Sequence, residues 1–465
     1  MFFDYDILIA GAGPAGCAAA YDLAQAGKRV LLLDRRTFPR PKACACGLTR
    51  KTLKALRYSV DPIIERVCRE IVLQRAPDQT LSSAPNAGRP SFATSSQSVG
   101  SNDISGADKT LEVRIRSRNP ICAMAVRDRF DDFCLTQTRA AGAHGGSVTL
   151  RKIETIAALR ELPTHIELGI IAASGSETLR APILIGADGS NGQTRRLATT
   201  RELSSRPEHS DVERPERSDV EKPASESATT SLSSASATNQ EPTWYTRGFA
   251  LEALIPYTAL PPTLPGGDAP HDLVFDFSPL PGGYGWLFPK GDHINIGVGA
   301  FAPSDSTTDA SLKSVTRVLL TEYVHQKLGL THIPNITGQH LGMGGHAYIP
   351  HGRVLLTGDA AGLVDPLTGE GIHSAIISGQ AAAAACLEVS DTMATTTQIA
   401  AAYARHLAPL QQTLAFSHRA AKAFYKDPAR GFRAMNLPIV RSLILKTYAD
   451  GLPHIRLLTA LAKLV

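Results

Sequence analysis

The sequence predicts an α/β fold in which a Rossmann-like domain with a parallel sheet is joined to an antiparallel-sheet domain and a C-terminal helical region. Three observations favour it. Residues 5–34 read as strand, glycine turn, helix and second strand; buried strands at 183–186 and 354–356 also end in an acid and glycines; and residues 249–300 alternate like antiparallel strands. Open α/β sheets bind ligands where parallel strands end, so these strand ends are where we expect the site.

The N-terminal unit has the features of a dinucleotide-binding βαβ unit. Gly11-Ala12-Gly13-Pro14-Ala15-Gly16 follows an apolar strand and opens an alanine-rich helix, and Asp34 ends the next strand. The first glycine makes the turn, the second lets a pyrophosphate approach, and the third allows close helix–strand packing, while the acid accepts from the adenosine ribose. An acid at this position indicates an unphosphorylated ribose, hence FAD or NAD, although the adjacent Arg35 and Arg36 weaken that distinction.

The stretch around Gly358-Asp359 is the second half of the predicted site. It follows the strand 354–356 and precedes a helix of small residues over 375–385. A helix N-terminus after a glycine turn favours an anion. Gly369 and Gly371 let a flat ligand lie against bare backbone.

Three further segments carry candidate site residues. Cys44 and Cys46 lie in a Pro/Gly-rich loop after Asp34, where they could reach over a flavin ring or be buried, inert thiols. Arg127 lies at the start of a helix predicted over about 125–141, where it could face a phosphate or form a surface ion pair. Asp188-Gly189 ends a third buried strand.

An aromatic strand gives the antiparallel domain its most specific sequence. Within Pro281–Pro289, alternation places Tyr284, Trp286 and Phe288 on one face. That face is either packed core or the wall of an apolar tunnel.

Composition limits the partners and the compartment. The seven cysteines are scattered and odd in number, which favours a reducing, cytoplasmic setting, and no Cys/His spacing predicts a metal site. No aromatic–basic pattern suggests nucleic acid. Residues 415–465 carry nine Lys/Arg against two acids, or +7, whereas the whole chain is +5. This basic region could contact an anionic membrane at its inner face, or it could be a solvated helix surface.

The predicted domain organisation is discontinuous. We expect an FAD-type domain from residues 1–60, 120–199 and 340–390, and a substrate domain from 61–119 and 244–339 with a mobile excursion at 76–110. The Ser/Thr/Glu/Pro-rich segment 200–243 contains a tandem octad (206–213, 214–221) and predicts a disordered insertion. Residues 391–465 are predicted to be helical.

Together these motifs resemble the geranylgeranyl reductase family, within the flavoproteins of the para-hydroxybenzoate hydroxylase and glutathione reductase type. The most specific likeness is Pro281-x-x-Tyr284-x-Trp286-x-Phe288-Pro289, similar to the family's PxxYxWxFP substrate-cavity motif. The family reads CGxG where this chain has Cys44-Ala45-Cys46-Gly47, so Cys44 matches the family cysteine and Cys46 is additional. The candidate cofactor-binding residues are Gly11, Gly13, Pro14, Ala15, Gly16, Asp34, Arg35, Cys46, Gly47, Arg127, Asp188, Gly189, Gly358, Asp359, Pro366, Gly369, Gly371 and Ile372.

The resemblance implies an FAD enzyme that reduces C=C bonds of a polyprenyl lipid or isoprenoid, with electrons from NAD(P)H or reduced ferredoxin. Tyr284, Trp286 and Phe288 would contact the substrate, and the candidate catalytic residues are Cys44, Cys46, Tyr284, Trp286 and His373. Two other functions stay open: a flavin monooxygenase acting on an aromatic or polyketide-like substrate, and a non-catalytic FAD- or lipid-binding protein.

Overall fold

The structure is a computed structural model that describes residues 3–76, 111–198, 241–265, 267–301, 315–389 and 394–451. In chain order its strands are β1 (Ile7–Ala10), β2 (Arg29–Asp34), β3 (Gly47–Thr49), β4 (Arg66–Cys68), β5 (Glu70–Arg75), β6 (Leu111–Arg116), β7 (Cys122–Met124), β8 (Ser147–Lys152), β9 (Thr155–Glu161), β10 (Ile166–Ala172), β11 (Gly175–Ala181), β12 (Ile183–Gly186), β13 (Thr246–Pro256), β14 (Leu273–Asp276), β15 (Gly283–Pro289), β16 (His293–Ala300), β17 (Thr337–Met343) and β18 (Val354–Leu356).

The α-helices are numbered separately, in chain order. They are α1 (Pro14–Gln25), α2 (Arg50–Ala55), α3 (Arg127–Ala140), α4 (Arg317–Leu328), α5 (Ile372–Glu388), α6 (Thr396–Lys426), α7 (Pro428–Met435) and α8 (Pro438–Asp450). The predicted α/β class is confirmed. Within the described residues, none of these helices is both long and apolar enough to span a bilayer.

A five-stranded parallel sheet forms the first layer, in the order β18-β12-β1-β2-β8. All three predicted acid-bearing strand ends, those of β2, β12 and β18, therefore lie in one sheet. Helix α1 packs on this sheet and, on its other side, against α5. The two helices approach closely because Gly379 of α5 lies against the backbone of α1. A Cβ at Gly379 would be 2.2 Å from the carbonyl oxygen of Ala15.

A seven-stranded sheet forms the second domain, in the order β17-β13-β16-β15-β14-β5-β6. It is antiparallel, as predicted, except that β14 pairs with β5 in parallel. Two small sheets, β11-β10-β9 and β3-β7-β4, complete the strands. Of these, β3, β4, β7, β9 and β11 were not predicted. The first three are only three residues long, and the last two are mostly exposed and mix charged with small side chains.

The seven-stranded sheet separates two apolar clusters. Tyr284, Trp286 and Phe288 lie on the face covered by α7 and α8, with Phe432 among their neighbours. Leu287 lies on the other face, in a cluster with residues of α4. The predicted shared face of the three rings is confirmed.

The predicted excursion and insertion fall mainly outside the described residues, over 77–110 and 199–240. The predicted end of the insertion is wrong, since Glu241 belongs to the folded protein. Its carboxylate accepts from Arg195 Nε at 2.8 Å, and the Arg195 side chain is fully buried. Glu241 also pairs with Arg247.

Deleting residues 201–240 is expected to leave folding and flavin content unchanged, because this composition cannot bury an apolar core. The deletion must stop before Glu241, since losing that carboxylate removes an ion pair from the buried Arg195. Soluble yield, melting temperature and flavin absorbance of the deletion, beside a matched Glu241→Ala variant, test this. Insoluble 201–240 deletion protein would contradict the expectation.

Candidate cofactor and active site

The glycine turn after β1 has the shape that the motif predicts. Gly11 has a φ of +104°, and a Cβ there would lie 2.3 Å from the carbonyl oxygen of Ala187, so only glycine fits. A Cβ on Gly16 would lie 1.9 Å from the oxygen of Gly11. Helix α1 starts with Pro14 at its first turn and has no side-chain cap. Its first amides are therefore available to an anion.

Asp34 is fixed beside this turn. Its Oδ2 accepts from Ala12 N and its Oδ1 from Arg36 N, both at 2.8 Å. Each carboxylate oxygen keeps a second lone pair, so the acid can still accept from a ribose hydroxyl. The neighbouring Arg35 is exposed.

Three cations gather next to the turn. Arg127 Nε donates to Asp131 Oδ1 at 2.8 Å, and Arg40 pairs with Asp131 Oδ2 at 3.2 Å. The Arg127–Asp131 ion pair is buried, so the surface-pair alternative for Arg127 does not hold. Burial lowers the pKa of Lys42, and the charge of Arg127 lowers this pKa further. The charges of Asp359 and Asp131 act in the opposite direction and raise it. A partly buried cation in this state is stabilised by a further anion.

The segment 358–372, which we call the glycine loop, follows β18. Its Gly369 has a φ of +68°, and a Cβ there would lie 2.9 Å from the Phe301 ring. Pro366 and Ile372 are buried. The Asp359 backbone carbonyl accepts from Tyr245 Oη at 3.1 Å, which leaves its half-buried carboxylate for other partners.

Several anchors of the glycine loop were missed in the sequence. Asp365 Oδ1 accepts from the amides of Leu367 and Thr368 and from Ser417 Oγ of α6. Glu370 accepts from Thr49 and Thr52 and pairs with Lys51 at 2.5 Å. The sequence signal that could have found these anchors is the pair of acids five residues apart, Asp365 and Glu370, in a glycine-rich loop. The loop is thus held from α6 on one side and from β3 and α2 on the other.

Asp188 and Gly189 lie at the end of β12, against the turn at Gly11. Asp188 Oδ2 accepts from Gln193 N at 2.6 Å and from Thr194 N and Oγ1 at 2.9 Å, so this acid caps the following helical residues. Burial raises its pKa. Cofactor contact by Asp188 remains a prediction, beside this structural role.

Two buried charges of the seven-stranded sheet hold the loop 42–47, which we call the cysteine loop. Glu252 Oε1 accepts from Cys44 N at 2.8 Å. Lys290 Nζ donates to the carbonyls of Ala45, Cys46 and Ala125. Burial raises the pKa of Glu252 and lowers that of Lys290. Both residues were missed, although an acid inside the apolar strand 249–255 and a lysine continuing the alternation of Phe288 were visible signals.

The two cysteines differ in environment. Cys46 is buried with a φ of +47°, and burial raises its pKa strongly. Cys44 is partly exposed, and its Sγ accepts from Cys46 N at 3.4 Å. Gly47 lies in β3, where a Cβ would be 2.9 Å from Cys122 Sγ, so packing alone accounts for this glycine.

The aromatic face connects to both loops. Tyr284 Oη donates to the Thr368 carbonyl of the glycine loop. Trp286 Nε1 donates to Asn295 Oδ1 at 2.7 Å, and Ala45 of the cysteine loop packs against the same apolar cluster. Burial raises the pKa of Tyr284 well above its usual value. The structure therefore brings the cysteine loop, the glycine loop and the three rings together.

His373 opens α5 beside the glycine loop. Burial lowers its pKa from 6.5 to about 3, and the nearby Lys51 adds to this. The imidazole is therefore neutral near pH 7, which argues against His373 as a cationic proton donor.

We expect this histidine to make the protein less stable in acid. Its folded pKa lies below its unfolded value, so the unfolded chain takes up the proton first, and stability present above about pH 6.5 is lost as the pH falls toward 3. His373→Gln should flatten the pH dependence of the unfolding free energy between pH 7 and 4. Exposed His325 on α4 provides the matched His→Gln control. An equal slope in wild type and His373→Gln would contradict this.

Comparison with known proteins agrees with this geometry. The FAD binding domain family matches residues 4–60. An uncharacterized protein of Methanosarcina barkeri is 29% identical over 82% of this chain and 73% of its own length. Digeranylgeranylglycerophospholipid reductase 2 of Methanopyrus kandleri is 27% identical over 84% and 80%, and menaquinone reductase of Mycolicibacterium smegmatis is 28% identical over 81% and 75%.

Solved structures share the fold. A geranylgeranyl bacteriochlorophyll reductase-like protein from Thermoplasma acidophilum has a TM-score of 0.65 at 18% identity and covers 99% of both chains. A triple mutant of a flavin-dependent brominase has a TM-score of 0.63 at 15% identity, covering 99% of this chain and 98% of its own. At these identities the likeness speaks to architecture, which reductases and halogenases have in common.

The described residues fit FAD. The glycine turn offers uncapped amides, Asp34 has acceptor oxygens that would suit a ribose, and Arg40, Lys42 and Arg127 would supply positive charge for a pyrophosphate. The glycine loop supplies bare backbone for a flat ring. The structure thus offers groups suited to the adenosine, the pyrophosphate and the ring of FAD, as the motifs along the chain predict.

Proposed function

We propose that this chain saturates C=C bonds of a polyprenyl lipid or isoprenoid. It is an FAD-dependent oxidoreductase, and its relatives confirm its resemblance to the geranylgeranyl reductases. One observation carries the proposal. The hydrogen bond from Tyr284 to Thr368 ties the apolar face of Tyr284, Trp286 and Phe288 directly to the glycine loop. An apolar chain lying on that face would present its double bonds beside the ring site.

The protein's own residues would position the substrate and exclude water. When bound, reduced FAD supplies the hydride that adds to one alkene carbon. The rings of β15 lie under α7 and α8, so the face is shielded from solvent. Positioning a reactant in this way accounts for a large part of catalysis when the chemistry belongs to the cofactor.

A proton must reach the second alkene carbon, and the candidates differ in suitability. The Tyr284 hydroxyl is committed to the Thr368 carbonyl, His373 is neutral, and Cys46 is buried. Cys44 is partly exposed and lies in the loop that meets the aromatic cluster. We therefore assign proton delivery to Cys44.

The membrane and electron partners belong to the same proposal. At the junction of α7 and α8, Leu437 and Ile439 are exposed, with relative exposures of 42% and 52%, and exposed Arg430 and Arg433 lie nearby in α7. Apolar side chains flanked by arginines suit an anionic lipid surface, which would bring a lipid substrate to a peripheral enzyme. NAD(P)H or reduced ferredoxin is the proposed electron donor.

A purified, FAD-loaded sample tests the function. Under anaerobic conditions with chemically reduced flavin, we expect added geranylgeranyl lipids to gain hydrogen in pairs, measured by mass spectrometry. Oxygen-dependent NAD(P)H consumption with a hydroxylated product would instead indicate a monooxygenase. Absence of both reactions in flavin-loaded protein, with phospholipid, diphosphate and quinone forms of the prenyl chain, would contradict an enzymatic role. Protein that neither contains nor takes up FAD would contradict the cofactor assignment.

A further inference from the structure

The cysteine loop is attached to the seven-stranded sheet through its backbone. Glu252 of β13 accepts from the Cys44 amide at 2.8 Å, and Lys290 donates to the Ala45 and Cys46 carbonyls. These contacts join positions 208 and 244–245 residues apart in the chain. The position of Cys44 is therefore set by the neighbouring sheet as well as by its own loop.

Glu252 is also connected to the aromatic face. Trp286 Nε1 donates to Asn295 Oδ1 at 2.7 Å, and the Asn295 side chain hydrogen-bonds to Glu252. Since the amide oxygen of Asn295 accepts from the indole, its amide nitrogen is the group that donates to the carboxylate. The chain of bonds runs in one direction, from the indole N–H to the carboxylate.

The strand register explains why these side chains meet. Glu252 of β13, Gly297 of β16 and Trp286 of β15 are direct cross-strand partners, so Glu252 and Trp286 share a face with bare backbone between them. A Cβ on Gly297 would lie 2.1 Å from Trp286 Cζ2, so the indole occupies the space above this glycine. Asn295 lies two residues away on the same face and bridges the pair.

We propose that Glu252 is a positioning residue for Cys44, and that Trp286–Asn295–Glu252 is a relay that couples the aromatic face to the cysteine loop. The carboxylate is suited to this because it offers two acceptor oxygens, for the Cys44 amide and for Asn295. Holding the Cys44 amide fixes the turn in which Cys46 N donates to Cys44 Sγ. A molecule that displaces the Trp286 ring would then move Cys44.

The reactivity of Cys44 reports this coupling without any substrate. Cys44 is partly exposed and the other six cysteines are buried, so iodoacetamide should label Cys44 selectively. The rate is followed by peptide mass spectrometry on FAD-loaded wild type, Glu252→Gln, Asn295→Ala and the double variant. Each single variant removes one bond of the relay, so each should change the labelling rate by about tenfold or more, in the same direction.

Two comparisons decide the outcome. Because the bonds lie in series, the double variant should react no differently from Glu252→Gln. Asp276→Asn is the matched control, since Asp276 is a buried acid on β14 that pairs with Lys327 of α4. It should leave the Cys44 rate at the wild-type value. A wild-type rate in Glu252→Gln, an additive double variant, or an equal rate change in Asp276→Asn would each overturn the proposal.

Asn295→Ala keeps the test valid if Glu252→Gln does not fold. Asn295 has no hydrogen bond to the cysteine loop among the described contacts, so an unchanged Cys44 rate in that variant would overturn the relay. With a prenyl substrate, which rests on the proposed function, Glu252→Gln should lower kcat and leave KM unchanged. The labelling result stands apart from that assay, so failure of either can be recognised separately.

Discussion

Replacing Trp286 with alanine is expected to reduce alkene reduction by about 100-fold or more, because displacing a reacting group by about 1 Å can cost that factor. Trp286 lies over Gly297, is hydrogen-bonded to Asn295 and touches the ring cluster of β15. If these rings line the site of a prenyl chain, the variant should keep its flavin and nearly all its stability.

The competing interpretation of Trp286 is packed core, since its side chain is only 5% exposed. Truncating a buried tryptophan then costs roughly 3–5 kcal/mol and lowers the melting temperature of the whole domain. Measuring melting temperature, flavin content and reductase activity on the same preparation separates the two. Trp244→Ala, at the other tryptophan, is the control for a general loss of aromatic packing. A large fall in melting temperature with proportionate loss of activity would refute the substrate role.

Asp359→Ala is expected to weaken FAD binding by roughly 10- to 100-fold, the equivalent of one hydrogen bond to a charged group. The fold should survive, because the structural contacts of this residue use its backbone. Its carbonyl accepts from Tyr245 Oη and from the Gly362 amide, and alanine keeps both bonds.

Flavin affinity is measured by titrating apoprotein with FAD, with circular dichroism as the check on folding. Glu322→Ala, at an exposed acid on α4, controls for the loss of one negative charge. Wild-type FAD affinity in Asp359→Ala would remove Asp359 from the cofactor site.

Local features of the site could be predicted from the sequence because they depend on neighbours in the chain. The turn at Gly11, the acid at the end of β2 and the alternation of Tyr284, Trp286 and Phe288 each follow from a short motif and a strand period. The structure reproduces all three.

The rest depends on contacts between distant segments. Glu252 and Lys290 can hold the cysteine loop only once β13 and β15 lie beside it. The parallel pairing of β14 with β5 joins Leu273 to Ile71, and no local pattern specifies that partner. Likewise Asp188 reads as a ligand-binding acid, whereas its bonds to Gln193 and Thr194 show that an acid after a strand also caps the next turn.

The strand order of the parallel sheet has a consequence for biosynthesis. Its central strands come from the first 34 residues and from Ile183–Gly186, but its edge strand, Val354–Leu356, and the glycine loop come after all strands of the seven-stranded sheet. A ribosome must therefore release every strand of the second sheet before the glycine loop is available. The second sheet must also assemble from two separate insertions into the first, β5 and β6 between β2 and β8, and β13 to β17 between β12 and β18.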